Sequence, residues 1–346
     1  MQCLKYVNTS CCNYKKTTEF STEQNAVVQK YPFKVSDYYA GLIKEPGDAI
    51  WRQCMPDRRE LEDNLQVEDP LSENLLSPVP GLIHRYPDRA VLLVSNRCAV
   101  YCRFCMRKRH VGDGDDLSSE AGTIAKAFEY IRANPGIHDV ILSGGDPLML
   151  DDASLHNILS RLREISHVKI IRIGTRVPVT LPQRVTRELS AMLKKFHPLY
   201  VNTHFNHPKE LTEESSRACA LLADSGIPLG NQTVLLRGIN DYAEVMSELM
   251  QGLLEFRVRP YYIHQMDLVQ GTAHFRTPVS KGLEIIRALR GHISGLAIPH
   301  YVIDLPDGKG KVALIPDEVE REGDILFLRT YQGDRVAYRD ITAVQE

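Results

Sequence analysis

Six apolar runs of strand length, at 90–95, 139–142, 168–174, 199–205, 230–236 and 259–264, alternate along this chain with amphipathic stretches near 119–134, 153–165, 183–196, 212–225, 242–256 and 280–290. An apolar run followed by a helix-period segment, repeated, predicts βα units and a parallel sheet. Six such units give an α/β fold, a partial (β/α)6 TIM-like barrel left open on one side. Before it, residues 1–84 are polar and irregular, with short helical patterns at 36–44 and 49–53 and proline punctuation at Asp69-Pro70 and Ser77-Pro78-Val79-Pro80, which reads as a helical N-terminal extension. The barrel is expected over 85–295. Residues 296–346 form a small β-rich C-terminal segment, with short strands expected at 301–304, 311–315, 325–331 and 335–339, placed to cover the open side. No repeat at a solenoid period and no low-complexity stretch interrupts this order.

Composition narrows the function without naming it. A chain of 346 residues, 43% hydrophobic and 25% charged, can bury one large catalytic core. A formal net charge of -2 gives no electrostatic case for nucleic acid or an anionic membrane, so a small-molecule substrate is expected. No segment approaches the roughly 20 apolar residues that span a bilayer, and residues 1–16 lack the apolar core of a secretion signal, which predicts a cytoplasmic protein.

The cysteines add chemistry. Cys98, Cys102 and Cys105 sit on one short loop after the first barrel strand, while Cys3, Cys11, Cys12, Cys54 and Cys219 are scattered and read as ordinary free thiols. Thiolates are the preferred ligands of iron-sulfur clusters, and three of them leave one iron of a 4Fe-4S cluster without a protein ligand. A structural zinc ion wants four nitrogen or sulfur donors, and only His110 follows closely enough to be considered. The spacing CxxxCxxC resembles the signature of the radical S-adenosylmethionine (SAM) superfamily, in which SAM occupies the open iron. After the second strand, Gly144, Gly145 and Asp146 resemble the loop of that superfamily that holds the SAM amino group; alone, such a triplet is more often a turn.

Further motifs carry a closer resemblance. Arg85-Tyr86-Pro87-Asp88-Arg89, Cys105-Met106-Arg107-Lys108-Arg109, Asn202-Thr203-His204-Phe205-Asn206-His207-Pro208, Gly230-Asn231-Gln232, the run from Arg259 to Asp267, and His274-Phe275-Arg276-Thr277-Pro278 are similar to the lysine 2,3-aminomutase family, over about 32–338. The resemblance implies a 2,3-aminomutase that interconverts L-lysine and L-β-lysine through a 5′-deoxyadenosyl radical, using SAM, a 4Fe-4S cluster and pyridoxal 5′-phosphate (PLP). It implies Lys311 as the PLP lysine, in Asp304-Leu305-Pro306-Asp307-Gly308-Lys309-Gly310-Lys311, with Lys309 as runner-up because Asp307 and Lys309 break the family's run of glycines. Arg89 matches a PLP-phosphate ligand, with Arg85 and Tyr86 beside it, and His204 and Gln232 match positions near SAM and PLP. Arg107 matches the arginine that binds the substrate carboxylate, and Asp267 and Asp304 match two carboxylates that hold the distal ammonium of lysine. A glutamate mutase is not expected to keep both acids.

The resemblance also implies a homo-oligomer and a reductant such as flavodoxin or ferredoxin. A family zinc site between subunits uses a cysteine where this chain has Tyr242, together with cysteines in a C-terminal extension, so no zinc is expected here. Alternatives are an aminomutase for arginine or glutamate, or a lysine enzyme that supplies β-lysine to elongation factor P.

Overall fold

The computed structural model describes residues 20–63, 66–112, 121–316, 319–323 and 325–339. Cys3, Cys11 and Cys12 lie outside the described residues, as does the expected start of the helix at 119.

The N-terminal extension is helical, as expected: α1 (Thr22–Lys30), α2 (Asp37–Gly41) and α3 (Ala49–Cys54). Each starts at a residue whose side chain accepts from the first-turn amides, namely Ser21, Ser36 and Asp48. The barrel follows as β1 (Leu82–Tyr86), β2 (Arg89–Ser95), α4 (Ala121–Ala133), β3 (Asp139–Gly144), α5 (Asp152–Arg163), β4 (Ile170–Gly174), α6 (Val177–Thr180), α7 (Arg187–Lys194), β5 (Leu199–Thr203), α8 (Glu213–Asp224), β6 (Leu229–Leu235), α9 (Ala243–Glu255), β7 (Val258–Gln265), α10 (Val279–Leu289), β8 (His300–Asp304) and β9 (Lys311–Ala313). These strands form one nine-stranded sheet in sequence order. Strands β2 to β8 run parallel, while β1 and β9 are antiparallel edges.

The partial barrel is therefore present, with a parallel run one strand longer than six. The segment at 301–304, expected as tail, is β8, the seventh parallel strand, because α10 returns the chain exactly as the other crossovers do. The expected boundary at 84/85 falls inside β1. Of the rest of the tail, β9 also joins the barrel sheet, while β10 (Val319–Glu322), β11 (Ile325–Arg329) and β12 (Arg335–Arg339) make a separate antiparallel sheet.

Period-two alternation sorts the strand side chains. Ala90, Leu92, Val94, Val140, Leu142, Ile171, Ile173, Leu199 and Val201 are buried in one core with the inner faces of the helices. The opposite set is half-buried and mixed: Arg89, Asp139, Ser143, Arg172, Gln232, Tyr262 and His264 stand among apolar Val91, Leu93, Ile141 and Val234. These polar side chains of the strands are thus gathered on the concave side, away from the helix-covered core.

Leu142→Ala, in the middle of β3 and fully enclosed, is expected to lower the unfolding free energy by about 2–5 kcal/mol. Denaturant titration of the variant against the parent checks this.

Candidate functional site

The three cysteines lie on the loop that leaves β2. That loop is fixed by ions with almost no access to water. Arg103, between Cys102 and Cys105, donates through Nε and Nη2 to Glu60, the Nη2 bond measuring 2.6 Å, and Lys108 Nζ reaches the same carboxylate at 2.5 Å. Glu60 is wholly buried and comes from the N-terminal extension. Lys108 also donates to the carbonyls of Arg103 and Gly271, which ties the loop to the segment after β7.

As thiols, Cys98 and Cys105 are pushed up, Cys105 to about 11, first by burial; next comes the charge of Asp146 and then the neighbouring sulfurs for Cys98, and Cys102 for Cys105. Such a set resists ionising unless a positive charge joins it, which suits cationic iron. Among the described residues, no group of three or more His, Cys, Asp or Glu side chains is arranged to hold a metal ion on its own.

The glycine loop after β3 packs against the start of the cysteine loop. A Cβ on Gly145 would stand 2.5 Å from the Arg97 carbonyl oxygen, and one on Gly144, whose φ is +116°, would stand 2.3 Å from that of Ser95. The Gly145 and Asp146 amides donate to the Ser95 and Arg97 carbonyls at 2.5 and 2.7 Å. Asp146 is buried, and its carboxylate accepts from Thr175 Oγ1 at 2.6 Å, the Arg176 amide at 2.7 Å and the Leu148 amide at 3.0 Å. Burial raises its pKa against those bonds. The structure thus gives Asp146 the work of joining the loops after β3 and β4.

A second group of residues gathers at the ends of β7, β8 and β9. The antiparallel register sets Lys311 directly across from Asp304. The turn between them closes through the Leu305 amide and the Gly310 carbonyl, and Asp307 adopts a left-handed φ of 58°, a conformation that aspartate tolerates. Lys311 Nζ bonds Asp304 and lies 3.2 Å from His264 Nδ1, whereas Lys309 is exposed at the turn. Arg85 Nη1 pairs with Asp304 at 3.1 Å, and Tyr86 hydroxyl accepts from the Lys311 amide at 2.8 Å. Although burial works against it, the hydrogen bond from His264 and the Lys311 charge hold the Asp304 carboxyl well below the usual range. Asp267 is treated differently: burial, then the Asp304 charge, push it up to about 7, and no described side chain bonds or pairs with it.

Four further expected residues line or flank this concave side. Arg89 lies over the Tyr86 ring at 4.0 Å and contacts Asp88. Gln232 on β6 stands in register with Tyr262 on β7. His204, after β5, is half-buried, with its pKa lowered first by desolvation and then by the Arg176 charge; among the described residues its Nε2 has no hydrogen-bond partner, and neither has Nε2 of His264. Arg107 is held side-on by a residue that sequence reasoning missed: its Nε and Nη2 donate to Glu73 at 3.1 and 2.7 Å, and Nη1 to Ser143 at 3.2 Å. Nothing in the proline-punctuated segment around Glu73 marks it as buried, nor do the sequences around Glu60 and Arg176. Asp69 Oδ1 accepts from the Glu73 amide at 3.0 Å in the turn that brings Glu73 inward.

Comparison with known proteins is consistent along the chain. The profile described as Radical SAM superfamily matches residues 92–250, and the one described as Lysine-2,3-aminomutase matches residues 286–345. L-lysine 2,3-aminomutase of Clostridium subterminale is 52% identical over 317 residues, covering 90% of this chain and 76% of that protein. L-lysine 2,3-aminomutase of Fusobacterium nucleatum is 49% identical, covering 94% and 78%. Glutamate 2,3-aminomutase of Clostridioides difficile is 47% identical, covering 95% and 78%.

Glu60→Ala strands Arg103 and Lys108 in the interior and is expected to cost about 3–5 kcal/mol of stability. Glu62→Ala, at a surface pair with Arg58, is expected to cost less than about 1 kcal/mol. Parallel denaturant unfolding of the two variants makes the comparison.

Proposed function

This chain belongs to the lysine 2,3-aminomutase family of radical SAM enzymes, and from that premise we propose that it converts L-lysine into L-β-lysine with PLP as a second cofactor. That it is an isomerase of the aminomutase kind follows from the family; the substrate and PLP are our reading.

One observation carries the choice of substrate. Asp267 and Asp304 stand at the ends of neighbouring parallel strands, and Asp304 is in contact with Arg85 and Lys311, whereas those cations reach Asp267 only at longer range and no described cation lies within salt-bridge distance of it. A buried carboxylate without a partner is unfavourable, and a ligand that brings an ammonium group there removes the cost. A glutamate side chain would add a third negative charge. The rival keeps its interest because a glutamate mutase is among the relatives.

The residues fit the expected cofactors. Cys98, Cys102 and Cys105 would hold the 4Fe-4S cluster, with Gly144, Gly145 and Asp146 shaping the adjoining SAM loop. Lys311 would anchor PLP, Arg89 and Arg85 would face its phosphate, and the orphaned Nε2 atoms of His204 and His264 would face bound cofactor or substrate. When bound, the cluster with SAM supplies hydrogen-abstracting radical chemistry, and PLP supplies a conjugated carbonyl group for the migrating nitrogen.

The protein's own part is binding and exclusion. Arg107, with Nε and Nη2 on Glu73 and Nη1 on Ser143, keeps a second N–H on each of Nη1 and Nη2 for the substrate carboxylate, and the planar fork sets that end of the molecule. Asp267 sets the other end. With both ends held, the carbon to be attacked has one position, and a substrate seated there would itself displace water from the reacting centre.

Two outcomes are expected. Purified enzyme reconstituted with iron, sulfide, PLP, SAM and a reductant forms β-lysine from L-lysine and no β-glutamate from L-glutamate; chromatography of the amino acids decides between them. Borohydride reduction of the PLP-loaded protein, followed by peptide mass mapping, attaches the cofactor to Lys311 rather than Lys309.

The pH dependence has a definite sign. Asp267 is protonated in the free protein below about 7, so lysine must displace a proton there, whereas above 7 the carboxylate is already charged. Lysine affinity is expected to rise as pH goes from 6 to 8, with net proton release near pH 7 by calorimetry in two buffers of different ionisation enthalpy. Asp267→Asn is expected to abolish that dependence and weaken lysine binding while leaving iron content unchanged.

A further inference from the structure

Arg176, which follows β4, is a buried cation to which the reading above gives no task. Its Nη2 donates to Gln53 Oε1 at 2.6 Å, Glu210 Oε1 at 2.8 Å and Tyr39 hydroxyl at 3.0 Å, and its Nε donates to the His204 carbonyl at 3.2 Å. The remaining arm turns the other way: Nη1 donates to Cys102 Sγ at 2.7 Å. The guanidinium also lies 5.2 Å from the ring of Phe104, on the same loop as the cysteines. Its counter-charge, Glu210, is wholly buried and also accepts from the amides of Asn206 and His207 and from Tyr39 hydroxyl.

We propose that Arg176, through its bond to Cys102 Sγ, is the positioning residue that raises the reduction potential of the cluster, and that Glu210 sets how much of its charge the cluster feels. This rests on the reading of Cys98, Cys102 and Cys105 as the cluster ligands. The physical case is short. Reduction adds one electron, from an exogenous low-potential one-electron donor, to a cluster whose thiolate ligands are already negative. A fixed cation and an N–H donor on a ligand sulfur stabilise that electron, and hydrogen bonds to sulfur are among the levers by which proteins set such potentials. The site is dry, so little solvent screens the effect. Glu210, 2.8 Å from the same guanidinium, opposes it. The pair therefore acts as two opposed charges of which only the cation touches a ligand.

Opposed charges predict opposed shifts, which a merely structural role does not. The full chain is reconstituted without air, its iron and sulfide are assayed chemically, and the cluster midpoint is read by electron paramagnetic resonance during a redox titration in the absence of SAM. Arg176→Gln, which removes the charge, is expected to move the midpoint to lower potential. Arg176→Lys is expected to fall between that variant and the parent. Glu210→Gln, which keeps an acceptor and removes the countercharge, is expected to move it higher. Should Arg176→Gln fail to fold, the Glu210→Gln shift decides alone, and a downward or absent shift in a fully loaded protein overturns the inference. Equal shifts of both variants in one direction overturn it as well. A parent protein that takes up no cluster overturns the cysteine reading and this inference with it.

Discussion

Glu60 has no contact with water, and the geometry of the cysteine loop depends on it. A carboxylate in that position is tolerable only because Arg103 and Lys108 come to it, and both belong to the loop that carries the three thiols. The N-terminal extension is thereby made part of the active region: it supplies the anion around which that loop is wound. Glu73 from the same extension does the equivalent for Arg107. Removal of an ion here would leave its partners buried and unmatched, so the extension and the barrel hold their shape together.

Charge is distributed unevenly over the second half of the site. Asp304 lies between Arg85 and Lys311 and is ionised at any ordinary pH; Asp267, close by, is pushed up to about 7 and has no described hydrogen-bond or salt-bridge partner. The two acids occupy similar places on adjacent strands, and their difference comes from β1 and β9, the antiparallel edges that bring Arg85 and Lys311 into direct ion pairs with only one of them. Edge strands that look incidental to a parallel sheet thus decide which carboxylate remains to be matched.

What could be read from the chain followed from periodicity and spacing. The six βα units stand out because each strand is an apolar run and each helix has a clear amphipathic period, and the cysteine loop is legible because three thiols in one short loop have few uses. Strand β8 was read as tail because five residues after Pro299 carry too little pattern to show that they lie beside β7. Glu60, Glu73 and Arg176 left no trace for another reason. Their roles arise from partners 43, 34 and 74 positions away, and nothing local distinguishes an acid that will be enclosed from one that will be solvated. For the same reason Asp146, legible as part of a glycine loop, was not legible as the acceptor that joins two loops.

The strand that carries Lys311 is three residues long, half open to water, and the last in the sheet. Such margins are the first parts of a fold to exchange their amide hydrogens, because fraying there disturbs little else. A molecule covalently tethered to Lys311 and gripped by arginines on β1 and β2 would therefore act as a rivet across both borders of the sheet. Retention of the cofactor and rigidity of the barrel's seam become the same property.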